Sequence, residues 1–382
     1  MKLPPDCRFL LVPDSFKGTL DSMEVAEAIA NGLGESFPDA HFDKCPMADG
    51  GEGSSVILGQ ILGARRYELD VVSADHRHIR GFYFMTDAGE AFVEIAAASG
   101  LPSVREPSLY AVRATSFGTG QLIADAITRG ARKVHLFLGG SATSDGGVGI
   151  AKALGYRFVF EDGSFSSSPV MGDKYPGEQL SRIVNILPPE DAKFLRDVEF
   201  VAVCDVENPL YGVNGAAHIY GPQKGANAAD VELLDQGLAH LSTVVRKSFG
   251  KVCEDIPGAG AAGGAGYATL AFLDGQLRKG ADFLLEAVDF DRKLLEADCV
   301  ITGEGQIDDQ SIGGKLFSAL LKRSAAAGKP LIVIAGVTAI SEEMLEAYPN
   351  LTVFGLGRTD CFSHPDRALR FVARNIGKLL VG

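Results

Sequence analysis

Six short clusters in this chain carry side chains that bind and move charged groups. Asp14-Ser15-Phe16-Lys17-Gly18 brings an acid, a hydroxyl and an ammonium together, a metal- or substrate-facing carboxylate beside a phosphate-neutralising cation. Ala48-Asp49-Gly50-Gly51-Glu52-Gly53 offers two carboxylates, suited to holding Mg²⁺ through water or to orienting a hydroxyl. Its glycines free the backbone for close ligand approach. Gly139–Gly149 (GGSATSDGGVG) sets Ser141, Thr143 and Ser144 among Gly139, Gly140, Gly146 and Gly147, ahead of an expected helix running to Leu154. Backbone N–H groups and a helix start there make an anion site, although no Gly-Lys-Ser/Thr follows and the run is not a Walker A sequence. Asp205-Val206-Glu207-Asn208-Pro209-Leu210 directly follows an apolar run, a suitable place for a general base, and Gly221-Pro222-Gln223-Lys224-Gly225 comes after it. Thr302 to Asp308, with Asp309, Gly314 and Lys315, again combines glycine, carboxylate and lysine. Pro257–Gly264 formally contains GxGxxG, but a dinucleotide fingerprint follows a strand, and KVCEDIP stands in that place.

Each cluster alone also reads as a capped polar turn. Their recurrence is the stronger signal, because anion-binding loops, acids for a divalent cation and lysines for phosphate charge are what phosphoryl transfer needs. The seven histidines form no HxxxH or HExxH pair, and no GxSxG occurs, so zinc hydrolysis and an α/β-hydrolase have no support.

The elements that must position these clusters alternate along the chain. FLLV at 9–12, VHLFL at 134–138, FVAV at 200–203, CVIT at 299–302 and LIVIAG at 331–336 read as buried strands. Val25, Ile29 and Leu33 recur every four residues in a helix with Ser22 as N-cap, and a further helix is expected near 341–347. Alternating strands and helices imply an α/β protein with largely parallel sheets. In such sheets ligands bind beyond the carboxyl ends of the strands, where the polar clusters lie. The stretch 163–173 (GSFSSSPVMGD) reads as a surface loop.

The chain has 382 residues, which at roughly 150 per domain gives two or three domains. Hydrophobic residues at 46% and charged residues at 22% are enough to build cores and exclude a wholly disordered chain. A net charge of −13 argues against nucleic acid and against an anionic membrane surface as partners, while leaving room for a small anionic substrate at a locally positive site. The six cysteines form no CxxC pair and read as buried thiols of a reducing, cytoplasmic compartment. MKLPPDCRFL lacks the apolar core of a signal peptide, and the uncharged run 256–273 is too rich in Gly and Ala to span a membrane.

PDSFKGT, PMADGGEGS, IAAASGLP, TSFGTGQLI, LGGSATSDGGVG, CDVENPLYG, GPQKGA, PGAGAAGGAG and ITGEGQID occur in this order, and together with the late GRTD they cover nearly the whole chain. In this the chain resembles the bacterial glycerate kinase type-1 family. The resemblance implies ATP- and Mg²⁺-dependent phosphorylation of D-glycerate, many members forming 2-phosphoglycerate, with 3-phosphoglycerate the other product. It implies two α/β domains: a discontinuous Rossmann-like parallel-sheet domain, 1–75 plus 290–382, and an inserted domain, 76–289. The active site is expected in the cleft, where closure would exclude water. On this reading Lys17 neutralises phosphoryl or carboxylate charge, and Asp205 or Asp308 takes the hydroxyl proton. Asp14, Ser15, Asp49 and Glu52 meet the substrate, with Asp49 and Glu52 also serving Mg²⁺. Gly139, Gly140, Ser141, Thr143, Ser144, Gly146, Gly147 and Lys315 serve the nucleotide. The expected protein is a monomer or homodimer. The chain departs from the family at Ser144, where Asn is common, at Gly313, where His is common, and at Ser54, where Thr is common. The competing readings are an NAD-dependent hydroxyacid dehydrogenase, a kinase of another small hydroxyacid, and a non-enzymatic nucleotide- or phosphosugar-binding module.

Overall fold

A computed structural model of the chain describes residues 2–16, 19–47, 53–166, 176–308, 315–357 and 363–381. In chain order the strands are β1 (Arg8–Leu11), β2 (His41–Lys44), β3 (Arg65–Val72), β4 (His78–Met85), β5 (Glu90–Glu94), β6 (Lys133–Phe137), β7 (Arg157–Phe160), β8 (Phe165–Ser166), β9 (Ile183–Leu187), β10 (Glu199–Val203), β11 (Gln276–Arg278), β12 (Cys299–Asp308), β13 (Leu331–Ala339) and β14 (Leu351–Gly355). The helices used below are α1 (Ser22–Gly34), α2 (Ser54–Ile61), α3 (Phe117–Thr128), α4 (Val148–Ala153), α5 (Ala228–Phe249), α6 (Ala261–Phe272), α7 (Lys315–Ala326) and α8 (Pro365–Leu380). The α/β class read from the alternating pattern holds, and the chain divides into two compact units, Met1–Asp49 with Gly280–Gly382, and Gly50–Lys279.

The discontinuous unit is built on an all-parallel five-stranded sheet of order β14-β13-β12-β1-β2. Phe9, Leu10 and Leu11 are fully buried, as expected when both faces of a parallel sheet are covered. On one face Phe9, Leu11 and Ile301 meet Ile29 and Leu33 of α1 and Leu369 and Ile376 of α8. Taken in order within this unit, the strands run 2-1-3-4-5, the doubly wound order of flavodoxin type. Asp21 caps α1, one residue before the expected Ser22. Its side chain accepts the N–H of Glu24 at 2.8 Å, and Glu24 accepts the N–H of Asp21 at 2.9 Å, a reciprocal capping box.

The inserted unit holds a six-stranded sheet, β11-β10-β6-β5-β4-β3, and a small antiparallel sheet, β8-β7-β9. β5, β6, β10 and β11 run parallel, and β3 and β4 form an antiparallel edge. The junctions between the units fall at 49/50 and 279/280, whereas the sequence expectation put them at 75/76 and 289/290. Residues 65–72 pair with β4 along their whole length, so the segment after 50 goes with the inserted sheet. Most of the uncharged run at 256–273 forms the buried α6, Ala261–Phe272, within the core of this unit. Among the described residues no helix is long and apolar enough to cross a membrane. Five cysteines fall within the described residues and all are free thiols.

One expected loop is a strand. β12 does not stop at Thr302 but continues through Gly303-Glu304-Gly305-Gln306-Ile307 to Asp308, in parallel register with β13. Ile307 is fully buried, and a Cβ at Gly336 would lie 2.6 Å from the carbonyl of Gly305. The two glycine-containing strands therefore pass each other backbone to backbone.

Candidate active site

In the discontinuous unit the strand order reverses between β1 and β12, and ligands of such sheets bind outside the carboxyl ends at that switch point. The chain leaving β1 stays bound to β12: Val12 N–H donates to Ile301 O at 2.8 Å, Asp14 N–H to Gly303 O at 3.0 Å, and Thr302 Oγ1 to Val12 O at 2.9 Å. Asp14 and Ser15 emerge there, both half-buried. Met47 N–H donates to Pro13 O at 2.9 Å, so the residues entering the second acidic cluster join the same strand ends. Asp308, half-buried, ends β12 and accepts from Gln306 Nε2 at 3.3 Å. Lys17, Asp49, Glu52, Gly313 and the GRTD run at 357–360 lie wholly or partly outside the described residues, as does the side chain of Lys315 at the start of α7.

In the inserted unit five of the sequence motifs converge on the loop after β6. The loop is stitched to the segment after β5 by Leu101 N–H to Gly140 O at 2.9 Å and Ala142 N–H to Ser99 O at 2.9 Å. Asp145 is fully buried and organises the loop. One of its oxygens accepts from Ser116 N–H at 2.9 Å, Ser116 Oγ–H at 2.8 Å and Gly149 N–H at 3.2 Å, and the other from Gly147 N–H at 3.0 Å. Ser116 Oγ also accepts Ile150 N–H at 3.1 Å. Burial raises the Asp145 carboxyl, against the pull of these hydrogen bonds. Gly146 N–H donates to Gly263 O at 2.9 Å. The amides of Gly146 and Gly147 are thus used inside the protein, and these two glycines shape the loop. Gly263 lies in a left-handed turn, Ala262-Gly263-Gly264, at the start of α6. With φ +66°, its missing side chain leaves room for Thr143 O, which a Cβ would meet at 1.9 Å.

The hydroxyls of the same loop have different environments. Ser141 Oγ accepts from Lys224 Nζ at 3.2 Å, Thr143 Oγ1 donates to Ala262 O at 3.4 Å, and the buried Ser144 hydroxyl has no partner among the described residues. Lys224 and Lys152 are each only 4% exposed. Burial pushes each ammonium down to about 8, opposed by the negative charge of Asp145. Asp205 leaves the sheet beside this loop, because β10 pairs with β6 and Leu138 N–H reaches Val203 O at 3.1 Å. At the end of β5, the buried Glu94 accepts the N–H groups of Gly53 at 3.1 Å and Ser55 at 2.7 Å, holding the start of α2.

Asp145, Ser116, Glu94, Lys152 and Lys224 are the functional candidates that the residue clusters did not single out. Asp145 carried one readable signal, an acid just ahead of a helix in a Ser/Thr/Gly run. Lys224 stood in a quoted motif without a role. No periodic pattern marks a lysine that is buried. The GxGxxG at 258–263 follows the helix α5 rather than a strand, so the context of a dinucleotide fingerprint is missing. Among the described residues no group of three His, Cys, Asp or Glu side chains gathers to hold a metal ion.

The sequence profile of the glycerate kinase family matches residues 9–381. A glycerate kinase of Bacillus subtilis (strain 168) is 37% identical over 375 residues, covering 97% of this chain and 96% of that protein. A glycerate 2-kinase of Escherichia coli (strain K12) is 38% identical over 334 residues, 86% of this chain and 85% of that one. The crystal structure of a Salmonella typhimurium LT2 protein, provisionally named glycerate kinase 2, superposes with a TM-score of 0.84 at 33% identity over 98% of each chain. On this full-length match the chain belongs to the glycerate kinase family.

Proposed function

We propose that this protein transfers the γ-phosphoryl group of ATP to D-glycerate, giving ADP and 2-phosphoglycerate. The observation that carries the reading is the match to the family over residues 9–381, with relatives named for this activity. The name of the Escherichia coli relative, a glycerate 2-kinase, supports the 2-phosphate as product.

In the reaction the glycerate hydroxyl oxygen attacks the γ-phosphorus, and the bridging oxygen leaves with ADP. The hydroxyl proton passes to a carboxylate, for which Asp205 and Asp308 are the candidates, each beyond or at the end of a parallel strand. Gly139, Gly140, Ser141, Thr143 and Ser144 line the phosphates, in a loop whose shape Asp145, Gly146 and Gly147 hold from behind. Asp14 and Ser15, at the switch point of the parallel sheet, take the glycerate hydroxyls and carboxylate together with Lys17. Mg²⁺ enters as Mg·ATP. One or two carboxylates suffice for it when phosphates supply the other ligands, and Asp49 and Glu52 are the residues for that task. Lys315 adds a cation for the nucleotide.

The test is ³¹P NMR of the protein with Mg·ATP and D-glycerate, run beside a magnesium-free control. A magnesium-dependent phosphomonoester signal coupled to a CH proton is the expected result. Coupling to a CH₂ group would replace 2- by 3-phosphoglycerate. ATP left intact, or slow ADP formation without a phosphoester, would overturn glycerate as acceptor.

A further inference from the structure

Resting on the kinase reading, we propose that Lys224 is a phosphate ligand, its buried ammonium gripping a phosphoryl oxygen of the bound nucleotide between Ser141 and Thr143. Lys224 ends a short 3-10 turn, Pro222–Lys224, and reaches across the fold into the loop after β6. Its Nζ donates to Thr143 O at 2.7 Å and to Ser141 Oγ at 3.2 Å. An ammonium has three protons, so one donor remains. Both acceptors are neutral. The acid whose charge acts on Lys224 is Asp145, and its two oxygens already serve Ser116, Gly147 and Gly149. A buried cation with only neutral acceptors is expensive, and an arriving anion removes that penalty. A lysine that merely stapled the loop would need no charge, since a neutral amide can donate to the same two oxygens. The neighbouring Ser144 supplies a second, independent sign of a missing ligand, a buried hydroxyl with no partner among the described residues. Di- or triphosphate is the chemical class that fits, because it takes hydroxyl and ammonium donors at once.

Protonation separates a ligand from a staple. Burial lowers the Lys224 ammonium to about 8, and a bound phosphate would raise it again. Binding should therefore take up protons near pH 8, and affinity should fall as pH rises above that value. The other titratable groups around the loop are Asp145, Lys152 and His76, the last held low by burial. All three residues are kept in a Lys224 variant, so the difference between proteins reads the Lys224 charge together with its coupling to Asp145.

The experiment is calorimetric titration of the full-length protein with ADP between pH 7 and 9.5, in two buffers of different ionisation enthalpy. The wild type is expected to take up a fraction of a proton per ADP near pH 8. Lys224→Met should bind ADP roughly 10- to 100-fold more weakly and lose that uptake. Lys224→Arg should recover affinity without the pH dependence, since its guanidinium stays charged. Equal affinity and equal proton uptake in wild type and Lys224→Met would overturn the proposal. If Lys224→Met does not fold, absence of proton uptake by the wild type alone would overturn it. A wild type that phosphorylates glycerate yet binds ADP indifferently to Lys224 would remove this inference and leave the kinase reading standing. A wild type that neither binds ADP nor forms a phosphoester would remove both.

Discussion

In the inserted unit, Ser141, Ala142, Thr143, Ser144 and Asp145 are all buried, and Asp145 alone accepts four hydrogen bonds. In the discontinuous unit, Asp14, Ser15 and Asp308 are half-buried at strand ends. Both regions lie beyond the carboxyl ends of parallel strands, and the proposed function gives them different tasks, the nucleotide phosphates to the first and glycerate to the second. A polyphosphate is best met by donors fixed in advance, because preorganised dipoles cost no rearrangement when charge develops. Small acceptor groups that must be bound, released and deprotonated are better met by side chains in contact with solvent. The comparison teaches where function and stability are joined. Under the proposed assignment, the groups of the loop after β6 that would meet the phosphates are also packed into the fold, while those at the β1 and β12 ends are half-buried and should be separable from it.

The largest effect should come from removing Asp145. Asp145→Ala leaves two amides and a hydroxyl hydrogen around Ser116 and Gly147, with the amide of Gly149, without their acceptor. Stability should fall by about 3–5 kcal/mol, read as a shift of the denaturant midpoint, with activity lost in parallel. A variant that keeps wild-type stability would break the claim that this loop is held by its own acid.

Gly263→Ala should come next. The substitution asks alanine to take φ +66° with its Cβ 1.9 Å from Thr143 O. Roughly 2–4 kcal/mol is expected from left-handed strain and the backbone shift. That shift also moves Gly263 O away from Gly146 N–H. Nucleotide affinity should therefore drop with stability, measured by ADP titration beside thermal unfolding.

These two positions show what the sequence made legible. The apolar runs marked β1, β6, β10, β12 and β13 correctly, and with them the strand ends where Asp14, Gly139 and Asp205 emerge. The continuation of β12 to Asp308 was hidden, because its pairing depends on Gly305 and Gly336 lying back to back in a partner strand. The junction near residue 50 was hidden for a similar reason: β3 joins the inserted sheet through its pairing with β4, and no change of composition announces it. Lys224 and Asp145 could be quoted as parts of motifs, but their burial is a property of distant segments closing around them. Buried lysines are rare enough that sequence reasoning places them on the surface by default.

Asp205→Asn sharpens the comparison from the chemical side. Turnover should fall by about 10²-fold or more if Asp205 accepts the proton, with thermal stability unchanged. Asp308→Asn, assayed in parallel, should then lose less than about 10-fold. The opposite ranking would move the base to the end of β12, and near-normal turnover in both would remove the two acids from the mechanism.

Asp14→Asn is the smallest expected perturbation and the most direct check on separability. The amide keeps the shape of the side chain, and its oxygen can still accept from Ser15 N–H, which reaches Asp14 Oδ1 at 2.6 Å. Asp14 is half-buried rather than enclosed, so the change should cost far less stability than Asp145→Ala. What it removes is a negative charge at the switch point of the parallel sheet. If Asp14 orients the glycerate hydroxyls, KM for D-glycerate should rise about 10-fold while KM for ATP holds, the loss of roughly one charged hydrogen bond. A loss of stability as large as that of Asp145→Ala would show that the β1 end is also structurally committed, and the contrast between the two regions would collapse. A changed KM for ATP with an unchanged KM for glycerate would reverse the assignment, giving the β1 end to the nucleotide.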